Sequence, residues 1–142
     1  MNFYTSIFKN SKKGHISRYG EGAPMPKGKV MTVSFELDGQ EFMALNGGPL
    51  FTITEAISFY VNCESQDEVD FFWEKLSEGG VTQRCGWLKD KFGLSWQIIP
   101  RELGSMLSDQ DPAKSRRVME AMLRMDKIDL NVLKQAYSLQ SP

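Results

Sequence analysis

The sequence predicts an α+β fold in which two similar units are followed by a helical tail. A helix–strand–hairpin order occurs twice before Pro100, the first hairpin has an Asp-Gly turn, and the pattern after Pro100 is helical throughout. We expect unit one over residues 1–50, unit two over 51–100 and the tail over 101–142. A chain of 142 residues is long enough to bury a core, so the prediction is one domain.

The first unit begins with a short amphipathic helix. Residues 2–9, NFYTSIFK, place their aromatic and aliphatic side chains at helical spacing. Residues 14–20 read as a short strand, and the Pro- and Gly-rich GEGAPMPKG after them as a loop. Residues 29–37 alternate apolar and smaller side chains, and the chain turns at Asp38-Gly39 and returns through QEFMAL.

The second unit begins with a strand, AISFYVNC over residues 56–63. Ser65 then opens a helix with Glu68 as a possible capping box, and Gly79-Gly80 end it. Two strands are predicted over 81–88 and 94–99. In the tail we expect helices over 101–108, after Asp111-Pro112, and over 129–138.

An internal repeat links the two units. NFYTSIF matches DFFWEKL, GHISRYG matches GVTQRCG, and GQEFM matches GLSWQ, in the same order. The second copy has a strand before its helix and the first has none, which would leave unpaired backbone groups at a sheet edge. The expectation is that the natural start lies upstream of Met1 or that a partner supplies this strand.

Composition excludes several classes of function. The formal net charge is −1 and the basic residues are dispersed, so no nucleic-acid partner is expected. No apolar run approaches the ~20 residues of a membrane span, and the N-terminus lacks an export signal. Cys63 and Cys85 are far apart in sequence, which indicates buried, reduced thiols and a cytoplasmic protein.

Several strings resemble the PhnB-like branch of the vicinal oxygen chelate superfamily, the glyoxalase/bleomycin resistance/dioxygenase proteins. They are NFYTSIFKNSK, FELDGQEFMALNGGP, ISFYVNCESQDEVDFFWEKLSEGG, CGWLKDKFGLSWQIIP and the tail DPAKSRRVMEAMLRMDKIDLNVLKQAY. Members of that branch often carry the label 3-demethylubiquinone-9 3-methyltransferase domain. The resemblance implies paired βαβββ units that form a cupped mixed sheet around a pocket, and a homodimer.

Metal-using members of the superfamily hold a divalent ion with His and Glu side chains from the opening and closing strands. Here Gln97 stands where the resemblance places a ligand Glu, and Met43 occupies the matching position of the first unit. Residues 56–63 contain no His, Asp or Glu, and the chain has a single histidine, His15. We therefore expect no metal and no cofactor. Gln97 is either the remnant of a lost metal site or an amide that bonds neighbouring strand residues or water.

The predicted function is binding of a small organic ligand without metal, with the biochemical activity unassigned. One alternative is an enzyme acting on a small organic, for example quinone-like, substrate, including the methyltransferase of the family label; a second is a metal-dependent lyase or dioxygenase. Neither a glycine-rich strand-to-helix turn for S-adenosylmethionine nor a G-x-S-x-G nucleophile motif occurs, and His15 is a base only if it faces the pocket. The candidate pocket residues are Gln97, Met43, Tyr60, Asn62, Asn46, Trp87 and Arg84.

Overall fold

The computed structural model describes residues 1–139, and the chain divides into two compact units, Met1–Thr52 and Ile53–Pro142. The first unit contains α1 (Asn2–Ile7), β1 (Ser11–Arg18), β2 (Val30–Leu37) and β3 (Gln40–Leu45). The second contains β4 (Ser58–Cys63), α2 (Gln66–Ser77), β5 (Val81–Thr82), β6 (Trp87–Lys89), β7 (Ser95–Pro100), α3 (Arg101–Leu107), α4 (Pro112–Met122) and α5 (Leu130–Ser138). No helix within residues 1–139 is long and apolar enough to cross a membrane.

The first unit is a three-stranded antiparallel sheet in the order β1-β2-β3, with α1 beside it. Asp38 and Gly39 form the two-residue turn of the β2–β3 hairpin, and both have positive φ angles, 50° and 79°. Tyr4 of α1 stacks on Phe35, with ring centroids 6.1 Å apart. The predicted helix and hairpin are therefore present, and β1 begins three residues earlier than the sequence predicted.

The second unit is a four-stranded sheet in the order β4-β7-β6-β5, in which β4 and β7 run parallel. Helix α2 covers one face through Val69 and Leu76, which are fully buried. The Ser65 hydroxyl accepts the Glu68 N–H at 3.3 Å, as predicted. The Glu68 carboxylate accepts from the Glu64 N–H at 2.8 Å, so the reciprocal half of the capping box falls one residue earlier than Ser65.

The prediction of one continuous strand over residues 81–88 is wrong. The strand ends at Thr82 and resumes at Trp87, because the chain turns through Cys85 and Gly86, with φ angles of 59° and 81°. Their N–H groups donate to the carbonyls of Met125 and Asp126, at 2.8 and 2.7 Å. These donors are used by the segment between α4 and α5 and are lost to the strand ladder.

The three tail helices pack within the second unit rather than extending from it. Their core is a cluster of buried aliphatic side chains that includes Ile99 of β7. The Gln66 side chain fastens the tail to the start of α2, since it donates to the Ile128 carbonyl at 3.0 Å and accepts from the Leu130 N–H at 2.8 Å. The cluster comprises Ile99, Leu103, Met106, Val118, Ile128, Leu130 and Leu133.

The order of elements in the first unit repeats in the second, apart from β4. Both units carry an edge-to-face aromatic pair at the matched helix positions: Phe3–Tyr4 at 5.3 Å and Phe71–Phe72 at 5.4 Å. In both units a glycine also lies too close to the neighbouring strand's backbone for a side chain to fit. A Cβ on Gly14 would lie 2.9 Å from the Ser34 carbonyl oxygen, and one on Gly80 would lie 2.1 Å from that of Lys89.

Both cysteines are free, but only Cys63 is fully buried; Cys85 is half-buried, contrary to the prediction of two buried thiols. Burial, followed by the nearby Glu68 and Glu64, raises the pKa of the Cys63 thiol to about 12. The Cys63 thiol is therefore protonated at pH 8. We expect a thiol reagent to label native protein at Cys85 and not at Cys63. Mass spectrometry of labelled Cys63→Ser and Cys85→Ser variants checks this; rapid labelling that survives Cys85→Ser would contradict it.

Candidate functional site on the open face of the second sheet

The candidate site lies on the sheet face of the second unit that points away from α2, here called the open face. Tyr60 pairs with Gln97 across the parallel β4–β7 ladder, and Gln97 pairs with Trp87 across the antiparallel β7–β6 ladder. Residues paired across neighbouring strands share a face, so the three side chains form one row. The alternate residues Val61 and Ile98 are buried on the α2 face. The register therefore places an amide between two aromatic rings.

A second row of polar residues lies beside the first. Ser58 pairs with Ser95, and Ser95 pairs with Lys89. The Gln97 side-chain N–H donates to the Ser58 hydroxyl at 2.9 Å, which holds the amide against β4. Ser95 is fully buried, and its hydroxyl has no hydrogen-bond partner within residues 1–139. A buried hydroxyl without a partner is unfavourable unless another molecule satisfies it.

One ion pair and one phenol set the charge of this face. The Lys89 ammonium group pairs with the Glu55 carboxylate. The side-chain hydrogen bond from Lys89 is the main cause that lowers the pKa of Glu55. Partial burial raises the pKa of Tyr60, so its phenol is neutral at physiological pH. The open face therefore presents a neutral phenol and an amide. The opposite charges of its Lys89–Glu55 ion pair cancel.

The other predicted pocket residues are placed differently. Asn62 is exposed and alternates with Val61, so it shares the open face with Tyr60. Arg84 is exposed in the turn between β5 and β6. Met43 is on β3 of the first unit and is 73% exposed. The structure therefore brings together Gln97, Tyr60, Trp87 and Asn62 on one face.

Asn46, in the first unit, has mainly structural hydrogen bonds. Its side-chain N–H donates to the Val30 carbonyl at 3.0 Å, and its own carbonyl accepts the Tyr19 hydroxyl at 2.6 Å. It also lines a depression of about 590 Å³. The other residues that line this depression are Met25, Lys29, Val30, Leu45, Gly47, Gly48 and Pro49.

His15 and Arg18 both lie on strand β1 of the first unit. His15 is exposed on β1, and its backbone N–H donates to the Ser34 hydroxyl at 2.8 Å. The Arg18 guanidinium donates to the Gly28 carbonyl at 2.9 Å, so it holds the loop before β2. Gly20 and Gly22 lie in that same loop, which leads into a strand and not into a helix.

Comparison with known proteins identifies the family. The family model described as 3-demethylubiquinone-9 3-methyltransferase matches residues 1–99. The chain belongs to this family. Among solved structures, it is similar to the PhnB protein from Bacillus cereus, with 41% identity over 70% of this chain and 87% of that chain, and a TM-score of 0.64. Protein PA1353 from Pseudomonas aeruginosa shares the fold, with 22% identity over 70% of this chain and 84% of that one, and a TM-score of 0.57. No curated protein matches the chain.

The residues on the open face do not fit a divalent metal ion. They offer an amide, a phenol, an indole and hydroxyl groups, whereas such ions take imidazole and carboxylate ligands. Within residues 1–139, no three His, Cys, Asp or Glu side chains are grouped where they could hold an ion. Glu55, whose carboxylate is on this face, is already paired with Lys89. Metal independence stays a prediction from this donor set.

Sequence reasoning missed four residues of the open face. Ser58 and Ser95 are in phase with Tyr60 and Gln97, so strand alternation alone would have found them. Lys89 is in phase with Trp87 in the same way. Glu55 lies in the irregular segment before β4, and no local pattern relates it to Lys89.

Proposed function

We propose that this protein binds a small, planar organic molecule on the open face of the second sheet, without a metal ion. The main support for this proposal is the row Tyr60–Gln97–Trp87, in which one amide lies between two aromatic side chains. The family match and the structural neighbours support a small-molecule-binding domain of this fold. Aromatic walls with a few convergent polar groups are typical of sites for such ligands.

The polar groups of the open face suit a neutral, oxygen-bearing ligand. Tyr60 is half exposed, at 53%, so its ring and neutral phenol are available to a bound molecule. The Gln97 amide is already held by Ser58, so little side-chain freedom is lost when it bonds a ligand. A ligand carbonyl or hydroxyl would satisfy these groups.

The open face lacks the arrangement that nucleophilic or acid–base chemistry requires. Such sites place a nucleophile within hydrogen-bond reach of a base that a third group orients. The hydroxyl that Gln97 touches is that of Ser58, and an amide is not a base. The Glu55 carboxylate is bound by Lys89. Binding is therefore better supported than turnover.

A thermal-shift screen of planar aromatic and quinone-like compounds, nucleotides and S-adenosylmethionine tests the proposal. We expect at least one planar compound to stabilise metal-free protein. Gln97→Ala should weaken its binding about tenfold, or about 1.4 kcal/mol, in isothermal titration. Gln110→Ala is the matched control, because Gln110 is an exposed amide between α3 and α4. This variant should bind the compound with wild-type affinity.

Two outcomes would favour the alternatives instead. Stabilisation by S-adenosylmethionine that Gln97→Ala abolishes would support the methyltransferase activity of the family label. Ligand binding that requires added Zn²⁺ or Mn²⁺ would support the metal-dependent lyase or dioxygenase. If no compound binds, or if Gln97→Ala and Gln110→Ala behave alike, the proposed site is wrong.

A further inference from the structure

The depression lined by Asn46 lies within the first unit, between the loop that precedes β2 and the segment that follows β3. Hydrogen bonds hold both of its sides in place. The Tyr19 N–H donates to the Lys29 carbonyl at 2.9 Å, and the Tyr19 hydroxyl donates to the Asn46 carbonyl at 2.6 Å. The Asn46 side chain donates to the Val30 carbonyl at 3.0 Å. The depression is therefore preformed, which lowers the cost of ordering its lining around a ligand.

The depression carries one unmatched positive charge. Lys29 is the one charged residue of its lining, and the Lys29 ammonium group has no hydrogen-bond or ion-pair partner within residues 1–139. The neighbouring basic side chains are engaged elsewhere, since Lys27 pairs with Glu21 and the Arg18 guanidinium donates to the Gly28 carbonyl. The ammonium group of Lys29 is therefore available to an anion.

Two backbone donors belong to the same lining. The N–H groups of Gly47 and Gly48 have no acceptor in the part of the chain that the structure describes. Gly48 has a φ angle of 85°, and successive N–H groups beside a left-handed residue are a common arrangement for binding anions. One ammonium group and two N–H groups in a single depression favour an anionic ligand.

The rest of the lining is mainly aliphatic. Met25 and Val30 are half-buried, whereas Leu45 and Pro49 are exposed. Among the described residues no aromatic side chain lines the depression, in contrast to the open face of the second sheet. Its volume of about 590 Å³ lies within the range of about 300 to 1,000 Å³ that is usual for small-molecule sites. Such walls suit an alkyl chain, because the unbranched Met25 side chain can adapt to a flexible ligand.

We propose that this depression binds an acyclic organic anion, an alkyl chain that ends in a carboxylate or a phosphate monoester. The acid group contacts the Lys29 ammonium group and the N–H groups of Gly47 and Gly48. The alkyl chain contacts Met25 and Leu45. All of these residues belong to the first unit, so the site is distinct from the open face and does not depend on the function proposed above.

Amide NMR spectra of the full chain, titrated with octanoate, octyl phosphate and octanol, test this inference. We expect the resonances of Gly47 and Gly48 to shift with at least one of the two acids, and the acid that binds more tightly identifies the acid group. Octanol has the same alkyl chain and no charge, so it should bind at least tenfold more weakly than that acid. The resonances of β4 and β7 should stay in place.

Three variants test the role of the charge. Lys29→Met removes the ammonium group and keeps an aliphatic side chain, and it should weaken binding of the tighter acid about tenfold. Lys29→Arg keeps the charge and should retain most of the affinity. Lys27→Met is the matched control, because Lys27 lies in the same loop, pairs with Glu21 and does not line the depression. It should bind like the wild type.

Four results would overturn the inference. The first is that octanol binds as tightly as both acids. The second is that Lys29→Met and Lys27→Met have equal affinities for the acid. The third is that the resonances of Gly47 and Gly48 do not shift at millimolar acid. The fourth is that the acids shift the resonances of β4 and β7 instead, which would place the anion on the open face.

Discussion

Gly80→Ala should lower the free energy of unfolding by about 3 kcal/mol. A Cβ at this position would lie 2.1 Å from the Lys89 carbonyl oxygen and 2.9 Å from the Asp90 Cα. Both are backbone atoms at the start of the β6–β7 turn, so the clash is relieved only if strands move apart. Urea denaturation followed by tryptophan fluorescence measures the loss. Gly14→Ala should also destabilise, because its Cβ would meet the Ser34 backbone in the same way.

Gly104→Ala is the matched control for both variants. Gly104 lies within α3, and a Cβ added there would meet no heavy atom within 4 Å outside its own stretch of the helix. Alanine favours helix over glycine, so we expect a gain of up to about 1 kcal/mol. Equal stability of Gly80→Ala and Gly104→Ala would contradict the close approach of Gly80 to the Lys89 backbone. It would also contradict the match between Gly14 and Gly80 in the repeat.

Asp90→Ala should lower the free energy of unfolding by about 3 kcal/mol, since it removes three hydrogen bonds from a buried site. Asp90 is only 3% exposed. One carboxylate oxygen accepts the N–H groups of Phe92 and Leu94, at 2.8 and 3.1 Å, and the other accepts the Trp96 indole N–H at 2.9 Å. Truncation would leave that indole N–H buried without this acceptor. The same urea experiment measures the change.

Asp90→Asn separates the hydrogen bonds to the N–H groups of Phe92 and Leu94 from the one to the Trp96 indole. Its single oxygen can still accept from the turn, but its NH₂ group would face the donor of Trp96. We expect a smaller loss than for Asp90→Ala, and a coupling between Asp90→Asn and Trp96→Phe in a double-mutant cycle. Wild-type stability in both Asp90 variants would contradict this account of the turn. The turn matters for the open face because it joins β6, with Trp87, to β7, with Gln97.

The parts of the fold that local chemistry specifies were predictable from the sequence. The Asp38-Gly39 turn needs positive φ at both residues, and this dipeptide tolerates it. The start of α4 was predicted because Asp111 is a good N-cap, and its carboxylate accepts the Ala113 N–H at 2.9 Å. The break between β5 and β6 was not predictable, because its cause lies about forty residues away, at the Met125 and Asp126 carbonyls.

The candidate site was predictable only in part. Alternation along β4 put Tyr60 and Asn62 on one face without any structural information. The neighbour of Gln97 depends on the register of a parallel pair, which no local signal fixes. The ion pair of Lys89 with Glu55 likewise joins a strand to an irregular segment. The sequence therefore indicates which residue types lie on the open face, and the structure shows which of them are adjacent.

The proposed site predicts that the row Tyr60–Gln97–Trp87 binds an organic ligand without metal. Isothermal titration of EDTA-treated protein with the strongest compound of the screen tests it most directly. We expect the same affinity with and without added Zn²⁺ or Mn²⁺, and about tenfold weaker binding by Gln97→Ala. Binding that disappears after EDTA treatment and returns with either ion would contradict it.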